Sequence, residues 1–261
     1  MSMPVCRTAP ACTPPTGSWP PAPMPTPAGR VLHSHAHCDA TPFAGQRVLV
    51  VGMVNTGAEI ALDLCEAGVP VALSVRSPVN IVLRDVLGRP TQRTSIVIGK
   101  LPPRLGHALA AWLRDLTVGD LSRWGLRTPK ASTLAQLREA GRTPVIDVGT
   151  LARTRAGDIR MHPPGLARLH EHHVRFVDGS QAPFDTMVLA TGFDAGLPAL
   201  VLGVALDLDG RGLPRSAAGC PGQPGLHFVG FDLRQPSGLL RTIGQQAQDV
   251  AAAVAREATT P

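Results

Sequence analysis

Residues 47–75 read RVLVVGMVNTGAEIALDLCEAGVPVALSV, and this stretch decides the fold class. Residues 47–51 form a short β-branched apolar run, which predicts a strand buried on both faces. A capping-box pattern starts at Thr56 and precedes an apolar stripe with helical spacing, so we predict a helix that ends near Gly68. Residues 69–75 predict a second strand, parallel to the first. The stretch therefore predicts a βαβ unit with a right-handed crossover.

The α/β pattern continues through most of the chain. Helical periodicity predicts further helices at residues 104–116, 132–140 and 243–255. Short apolar runs predict strands at residues 144–148, 159–161 and 225–231, the last reading GLHFVGF. Two more runs, 174–177 and 184–190, flank Asp178-Gly179 and predict a hairpin-like pair.

Composition excludes several classes of protein. The chain has 261 residues, of which 44% are apolar and 17% charged, so it can bury one or two cores and is neither disordered throughout nor collagen-like. It has no uncharged apolar run long enough for a membrane span and no apolar signal-peptide core near its N-terminus. The five cysteines are scattered, without zinc-ligand spacing, so we predict no metal site and a reducing, cytoplasmic location.

The formal net charge of +6 invites a nucleic-acid interpretation, which we do not favour. Only Lys100 and Lys130 are lysines, and the other 23 basic residues are dispersed arginines. The use of arginine in place of lysine, with no tyrosine and abundant Ala, Gly and Pro, is typical of a gene with GC-rich codons. Aromatic residues that could stack on bases are also few. We predict no nucleic-acid partner.

Residues 1–28 differ from the rest of the chain, because nine of the first 27 are proline. Such a segment buries too little apolar surface to offset its ordering entropy, which predicts a disordered or polyproline-like tail. A PxxP-type ligand, a tail without a role, and a mistaken start or reading frame all remain open.

The turn between the first strand and its helix is the sharpest chemical feature, reading Gly52-Met53-Val54-Asn55-Thr56-Gly57. A dinucleotide site needs glycine at three places in such a turn, and here the second place holds Val54. We predict that the backbone of this turn holds the diphosphate of a pyridine nucleotide and that the Val54 side chain crowds it. A strand–helix turn without a ligand is the alternative.

The end of the second strand indicates which nucleotide binds. An NAD site usually has Asp or Glu there, whereas this chain has Arg76 and Ser77, which suit a 2′-phosphate. The sequence therefore favours NADPH over NADH. Alternatively, Arg76 is only an exposed residue at a strand end.

Several separated motifs resemble one family. Gly29-x-x-x-His33-Ser34 resembles the end of an FxGxxxHS signature, residues 48–68 an NADPH-binding turn and helix, and Ala190-Thr191-Gly192-Phe193 an ATGY motif. The segment GRTPVIDVGTLARTRAGDI, residues 141–159, is a specific match. Over roughly residues 29–255, the chain resembles the C-terminal half of flavin-containing monooxygenases, above all those of the plant YUCCA type.

The resemblance implies chemistry that the residues alone do not. Members of the family use NADPH to reduce FAD and add one oxygen atom from O2 to a small organic substrate. By resemblance, Ala190, Thr191 and Gly192 join the cofactor-binding residues Gly52, Val54, Asn55, Thr56, Gly57, Arg76 and Ser77. No catalytic residue is assigned.

The family's first glycine-rich turn, which cradles FAD, has no counterpart before Gly52. We therefore predict a Rossmann-like NADPH-binding domain over residues 29–190 and a remnant of an FAD-binding Rossmann-like domain over 191–261. A truncated chain of this kind is not expected to work alone. The alternatives are a non-catalytic NADPH-binding remnant and a subunit that needs a partner carrying the FAD domain; a homo-oligomer is also open.

Overall fold

The computed structural model describes residues 29–86, 88–162, 165–170, 173–217, 219–220, 223, 225–232, 234–235 and 239–259. The tail predicted for residues 1–28 lies outside them. The described residues form two compact units. The first comprises the residues up to Leu83 with Val118–Pro129 and Val145–Thr191, and the second comprises Arg84–Thr117, Lys130–Pro144 and the residues from Gly192 onward. The NADPH-binding domain predicted for residues 29–190 and the FAD-domain remnant predicted for residues 191–261 stay predictions.

The described strands are, in chain order, β1 (Arg30–His33), β2 (Val48–Val51), β3 (Val71–Ser74), β4 (Ile81–Leu83), β5 (Asp85–Val86), β6 (Arg89–Pro90), β7 (Val145–Asp147), β8 (Ile159–His162), β9 (Leu166–Leu169), β10 (Val174–Phe176), β11 (Gln181–Ala182) and β12 (Thr186–Leu189). The α-helices are α1 (Asn55–Glu66), α2 (Thr91–Ile98), α3 (Pro103–Val118), α4 (Thr133–Ala140), α5 (Thr150–Ala156), α6 (Leu197–Leu200) and α7 (Leu239–Thr259). None of the described helices combines the length and the apolarity that a membrane crossing requires.

A five-stranded parallel sheet organises the first unit, in the order β1-β12-β2-β3-β8. Its central strands are buried on both faces, as their continuous apolar sequence predicts: Val48, Leu49 and Val50 are all fully buried. Strands β2 and β3 pair in parallel with Val48 opposite Val71. The predicted βαβ unit and the α/β fold class are confirmed.

Helix α1 begins earlier than its sequence signal predicts. Its N-cap is Val54, in extended conformation and without a side-chain cap, so the capping box predicted at Thr56 is wrong. The turn at Gly52 leads almost directly into the helix, which places Thr56 inside the first turn. The apolar stripe of α1 packs in the main core as predicted, with Cys65 buried.

The hairpin predicted from residues 174–177 and 184–190 is wrong. Strand β10 pairs with β9 and β11, whereas β12 lies between β1 and β2 and runs parallel to both. Arg47 anchors this position: its backbone N–H and its guanidinium donate to Asp185 over 2.7, 2.9 and 2.7 Å. Hydrogen bonding from Arg47 lowers the pKa of Asp185. Burial of β12 on both faces outweighs the local preference for a hairpin.

The second unit has a smaller core around Leu197, Cys220 and Phe228. Helices α3, α4 and α7 confirm the three predicted there, and each begins or ends within a few residues of the predicted limits. The strand predicted for residues 225–231 is wrong, because none of these residues belongs to a strand. Instead, the Phe228 N–H donates to the Ala217 carbonyl over 2.9 Å and its ring joins the core.

Candidate functional site

The turn after β2 is shaped by close backbone packing at Gly52. Its φ is 105°, which favours glycine, and a Cβ there would lie 2.4 Å from the Ala190 carbonyl oxygen. The Gly52 N–H donates to the Ser74 carbonyl on β3, and the Ala190 N–H donates to Val51 on β2, each over 2.9 Å. The ends of three neighbouring strands therefore meet at this turn, at the carboxyl edge of the sheet where α/β proteins bind ligands.

Gly57 has a different steric role. It is buried in the first turn of α1, and a Cβ on it would lie 2.0 Å from the Gly52 carbonyl oxygen and 3.1 Å from the Ala190 Cβ. The absence of a side chain lets the helix start directly against the strand turn. Gly52 thus provides the tight turn, and Gly57 the close helix–strand packing, for which a dinucleotide turn uses its first and third glycines.

Val54 occupies the place of the missing glycine. Its φ of −106° is open to any residue, so the fold does not require glycine here. The side chain is 51% exposed at the start of α1. The backbone N–H groups of the first helical turn have no partner within the helix and carry its positive dipole end. That an anion binds them and is crowded by Val54 stays a prediction.

The two polar residues of the turn differ in their contacts. The Asn55 side-chain oxygen accepts a hydrogen bond from the Ile146 N–H of β7 over 2.7 Å, which ties the start of α1 to that strand. Thr56 is exposed. The Asn55 side-chain oxygen, which belongs to a predicted cofactor-binding residue, is therefore already engaged by the protein backbone.

The end of β3 carries the cation that the sequence predicts and a second one that it does not. Arg76 and Ser77 are exposed. The Arg127 guanidinium donates to the Arg76 carbonyl over 2.9 Å, and the Arg127 carbonyl accepts from the Val79 N–H over 2.9 Å. Arg127 thus holds the loop after β3 at both ends, and a guanidinium has further donors for an anion.

Glycine also packs against this loop. Gly165 has a φ of 106°, and a Cβ on it would lie 3.0 Å from the Cα of Arg76. The chain after β8 therefore packs directly on the Arg76 backbone. Sequence reasoning missed both Arg127 and Gly165, because neither belongs to a local motif and only the fold brings them to Arg76.

The three residues predicted from the ATGY-like motif follow β12. Ala190 is buried and forms part of the Gly52 turn, whereas Thr191 is exposed. Gly192 has a φ of 106° and begins the second unit. The fold thus brings Ala190 to the predicted turn.

One histidine of the first unit, His162, is half-buried in the sheet. It belongs to β8, where its ring stacks on Phe176 with centroids 4.1 Å apart, and its Nε2 is buried without a hydrogen-bond partner among the described residues. Burial lowers its pKa. Among the described residues no group of histidine, cysteine or acidic side chains could hold a metal ion.

A separate cleft lies within the second unit, at the first turns of α7. Its volume is about 310 Å³ and its lining is polar: Asp232, Gln235, Arg241, Thr242, Gln245, Gln246 and Asp249. Asp232 is half-buried here and accepts hydrogen bonds from Arg234 N and Gln235 Nε2.

Comparison with known families establishes the relationship that the motifs suggest. The family model of flavin-binding monooxygenase-like proteins matches residues 14–205. The chain belongs to this family. Indole-3-pyruvate monooxygenase YUCCA4 of Oryza sativa subsp. japonica is 35% identical over 223 residues, covering 85% of this chain and 51% of the relative. YUCCA6 of Arabidopsis thaliana is 36% identical over 226 residues, with 85% and 54% coverage. This flavin-binding monooxygenase-like chain thus spans about half the length of the curated relatives it matches.

Solved structures share the fold of this flavin-binding monooxygenase-like chain. A flavin-containing monooxygenase from Stenotrophomonas maltophilia matches with a TM-score of 0.55 at 19% identity, covering 88% of this chain and 56% of that one. Cyclohexanone-bound cyclohexanone monooxygenase matches with a TM-score of 0.58 at 16% identity, with 90% and 61% coverage. At these identities the likeness shows a Rossmann-type fold.

Proposed function

We propose that this chain is the NADPH-binding part of a flavin-dependent monooxygenase that adds one oxygen atom from O2 to a small organic substrate. The family relationship supports the reaction class, and one observation carries the NADPH assignment. Gly52 and Gly57 allow a tight strand–helix turn at the carboxyl edge of a parallel sheet, and the Arg127 guanidinium donates to the Arg76 carbonyl in the loop after the next strand.

NADPH fits these residues. The first-turn amides of α1 and the backbone of residues 52–57 would receive its diphosphate. Arg76 and Arg127 would receive the 2′-phosphate, because guanidinium groups bind phosphate through several charge-assisted hydrogen bonds. Gly192 and the exposed Thr191 would border the nucleotide after β12. Val54 fits least well, and we propose that it weakens binding.

FAD does not fit the residues that the structure describes. We assign the strand–turn–helix unit bounded by Gly52 and Gly57 to NADPH, and the cofactor diphosphate of an FAD domain needs a unit of its own. When both cofactors are bound, NADPH supplies a hydride and the flavin supplies the oxygen chemistry. We propose that this chain alone binds NADPH but not FAD.

The same observation favours an alternative function. A chain that binds NADPH without flavin is either a non-catalytic remnant or a subunit whose partner supplies the FAD domain. We propose a cytoplasmic protein with no nucleic-acid partner in both cases. The two alternatives make different predictions: a chain that carries the glycine-rich FAD turn restores turnover to a subunit but not to a remnant.

Calorimetric titration of the 261-residue protein with NADPH, NADH and FAD tests the binding proposal. We expect tighter binding of NADPH than of NADH and no stoichiometric FAD. Equal affinity for both nicotinamide nucleotides would refute the proposal that Arg76 and Arg127 bind the 2′-phosphate. If neither nucleotide binds, the proposal that this chain is a nucleotide-binding part is wrong.

Co-expression with the N-terminal half of a YUCCA relative tests the reaction. Oxygen uptake that depends on NADPH and requires both chains would support the subunit. A complex that binds both cofactors but consumes no oxygen would support the remnant.

A further inference from the structure

Helix α3 in the second unit carries an exposed apolar stripe, which goes beyond the proposed nucleotide site. The exposed fractions are 62% for Leu105, 37% for Leu109, 59% for Trp112 and 66% for Leu116. Residues spaced three and four apart lie on one face of a helix, so these side chains form a continuous apolar surface. Exposed surfaces of this kind mark interaction sites.

The stripe is not the face by which α3 packs in its own unit. That face carries Gly106, which is buried, and a Cβ on it would lie 3.1 Å from the Ile98 carbonyl oxygen of α2. Ala110, Leu113 and Thr117 follow on the same face and are half-buried. The helix therefore satisfies its own packing and presents a second apolar surface.

The stripe is symmetric from end to end. Its spacings are four, three and four residues, with leucine at both ends. When two copies of α3 run antiparallel, Leu105 of each copy faces Leu116 of the other, and Leu109 of each copy faces Trp112 of the other. A two-fold interface requires a surface that matches itself in this way. We infer that a second copy of this chain covers the stripe, through an antiparallel α3–α3 pair centred between Ala110 and Ala111.

The charges beside the stripe match the same arrangement. Arg104 and Asp115 are exposed and lie on the same flank of α3. In the antiparallel pair, Arg104 of one copy is about 3 Å along the helix axis from Asp115 of the other, given a rise of about 1.5 Å per residue. Asp115 also accepts hydrogen bonds from Arg114 of its own helix. Two symmetric ion pairs result, whereas a membrane-binding helix carries mainly Lys and Arg on its flanks.

The area of the stripe indicates a weak dimer. A large apolar side chain has a surface of about 200 Å² when fully exposed. Multiplied by the exposed fractions of the four side chains, this gives about 400 Å² of exposed apolar surface per copy. Two copies would therefore bury about 800 Å² of apolar surface through the stripe. The small and charged residues beside it raise the total buried area to near the roughly 1,000 Å² expected of a specific interface. We therefore expect a dimer that forms in the micromolar range.

Sedimentation velocity of the full chain over a concentration series tests the inference. We expect a reversible monomer–dimer equilibrium, with the dimer dissociation constant raised about tenfold or more by Leu116→Glu. Leu202→Glu is the matched control, because Leu202 is 78% exposed in the same unit but lies outside α3. Unchanged circular dichroism would establish that both variants fold.

A charge exchange tests the geometry. Arg104→Asp and Asp115→Arg should each weaken the dimer, and the double variant should restore it, because the exchanged ion pairs re-form. A chain that stays monomeric at all concentrations would overturn the inference. So would a dimer insensitive to Leu116→Glu, or a monomer that floats with anionic phospholipid vesicles through the stripe.

Discussion

The Arg127 guanidinium donates a hydrogen bond to the carbonyl oxygen of Arg76 over 2.9 Å, although 51 positions separate the two residues in the chain. Arg127 thus brings its cationic guanidinium to the backbone of the loop that follows β3 and carries Arg76. Guanidinium groups bind a doubly charged phosphate through several charge-assisted hydrogen bonds. Because NADH lacks this phosphate, the pair provides a physical basis for a preference between the two nucleotides.

We expect Arg127→Gln to raise the NADPH dissociation constant about tenfold or more, because a hydrogen bond to a charged group contributes roughly 1.5–3 kcal/mol. Binding of NADH should change less than about twofold, since exposed charges contribute little without a direct partner. Calorimetry measures both constants. Arg123→Gln is the matched control, an exposed arginine of the same segment that stacks over Trp124. Equal losses for both nucleotides would mean that Arg127 only supports the loop.

Val54→Gly should tighten NADPH binding severalfold, because it removes the exposed side chain at the start of α1, where we propose that the diphosphate binds. Stability should change by only a few tenths of a kcal/mol, since glycine is acceptable at a helix N-cap. Fluorescence titration with NADPH measures the effect, and Val54→Ala should fall between the two. Unchanged affinity in both variants would refute the steric account.

Gly57→Ala should destabilise the first unit by about 2 kcal/mol or more, because the new Cβ would meet the Gly52 backbone in a fully packed turn. Gly244→Ala is the matched control: Gly244 lies on α7 with open space around it, so alanine there should stabilise by up to about 1 kcal/mol. Urea unfolding measures both. Loss of stability in the control, or none in Gly57→Ala, would contradict the packing argument.

His162 should make stability fall on acidification. Burial holds its folded pKa below the ordinary value of 6.5, so as the pH falls through that value the unfolded chain takes up a proton that the folded chain does not. The folded state therefore loses stability below this pH and retains it above. Unfolding measured from about pH 8 to about pH 5 should show this fall.

His162→Phe keeps an aromatic ring stacked on Phe176 but cannot titrate, so its stability should vary less with pH. His35→Phe, at an exposed histidine, serves as the control and should keep the acid-side loss. If His162→Phe and the parent protein show the same pH dependence, another group causes it.

Local sequence determined the parts of this protein that depend on neighbouring residues. The run 47–51, the stripe of α1 and Gly68 predict a βαβ unit because strand burial, helical spacing and a left-handed helix end are each encoded within a few positions. The turn glycines, Gly52 and Gly57, were found for the same reason.

Tertiary structure decided the rest, because strand partners and distant contacts depend on what the remaining chain brings alongside. Residues 186–189 read like half of a hairpin, yet burial between β1 and β2 makes them a parallel central strand. Residues 225–231 have the apolar pattern of a strand but form none, and Phe228 instead packs in the core of its unit. Arg127 carries no local signal at all, and only the packed loop after β3 brings it to Arg76.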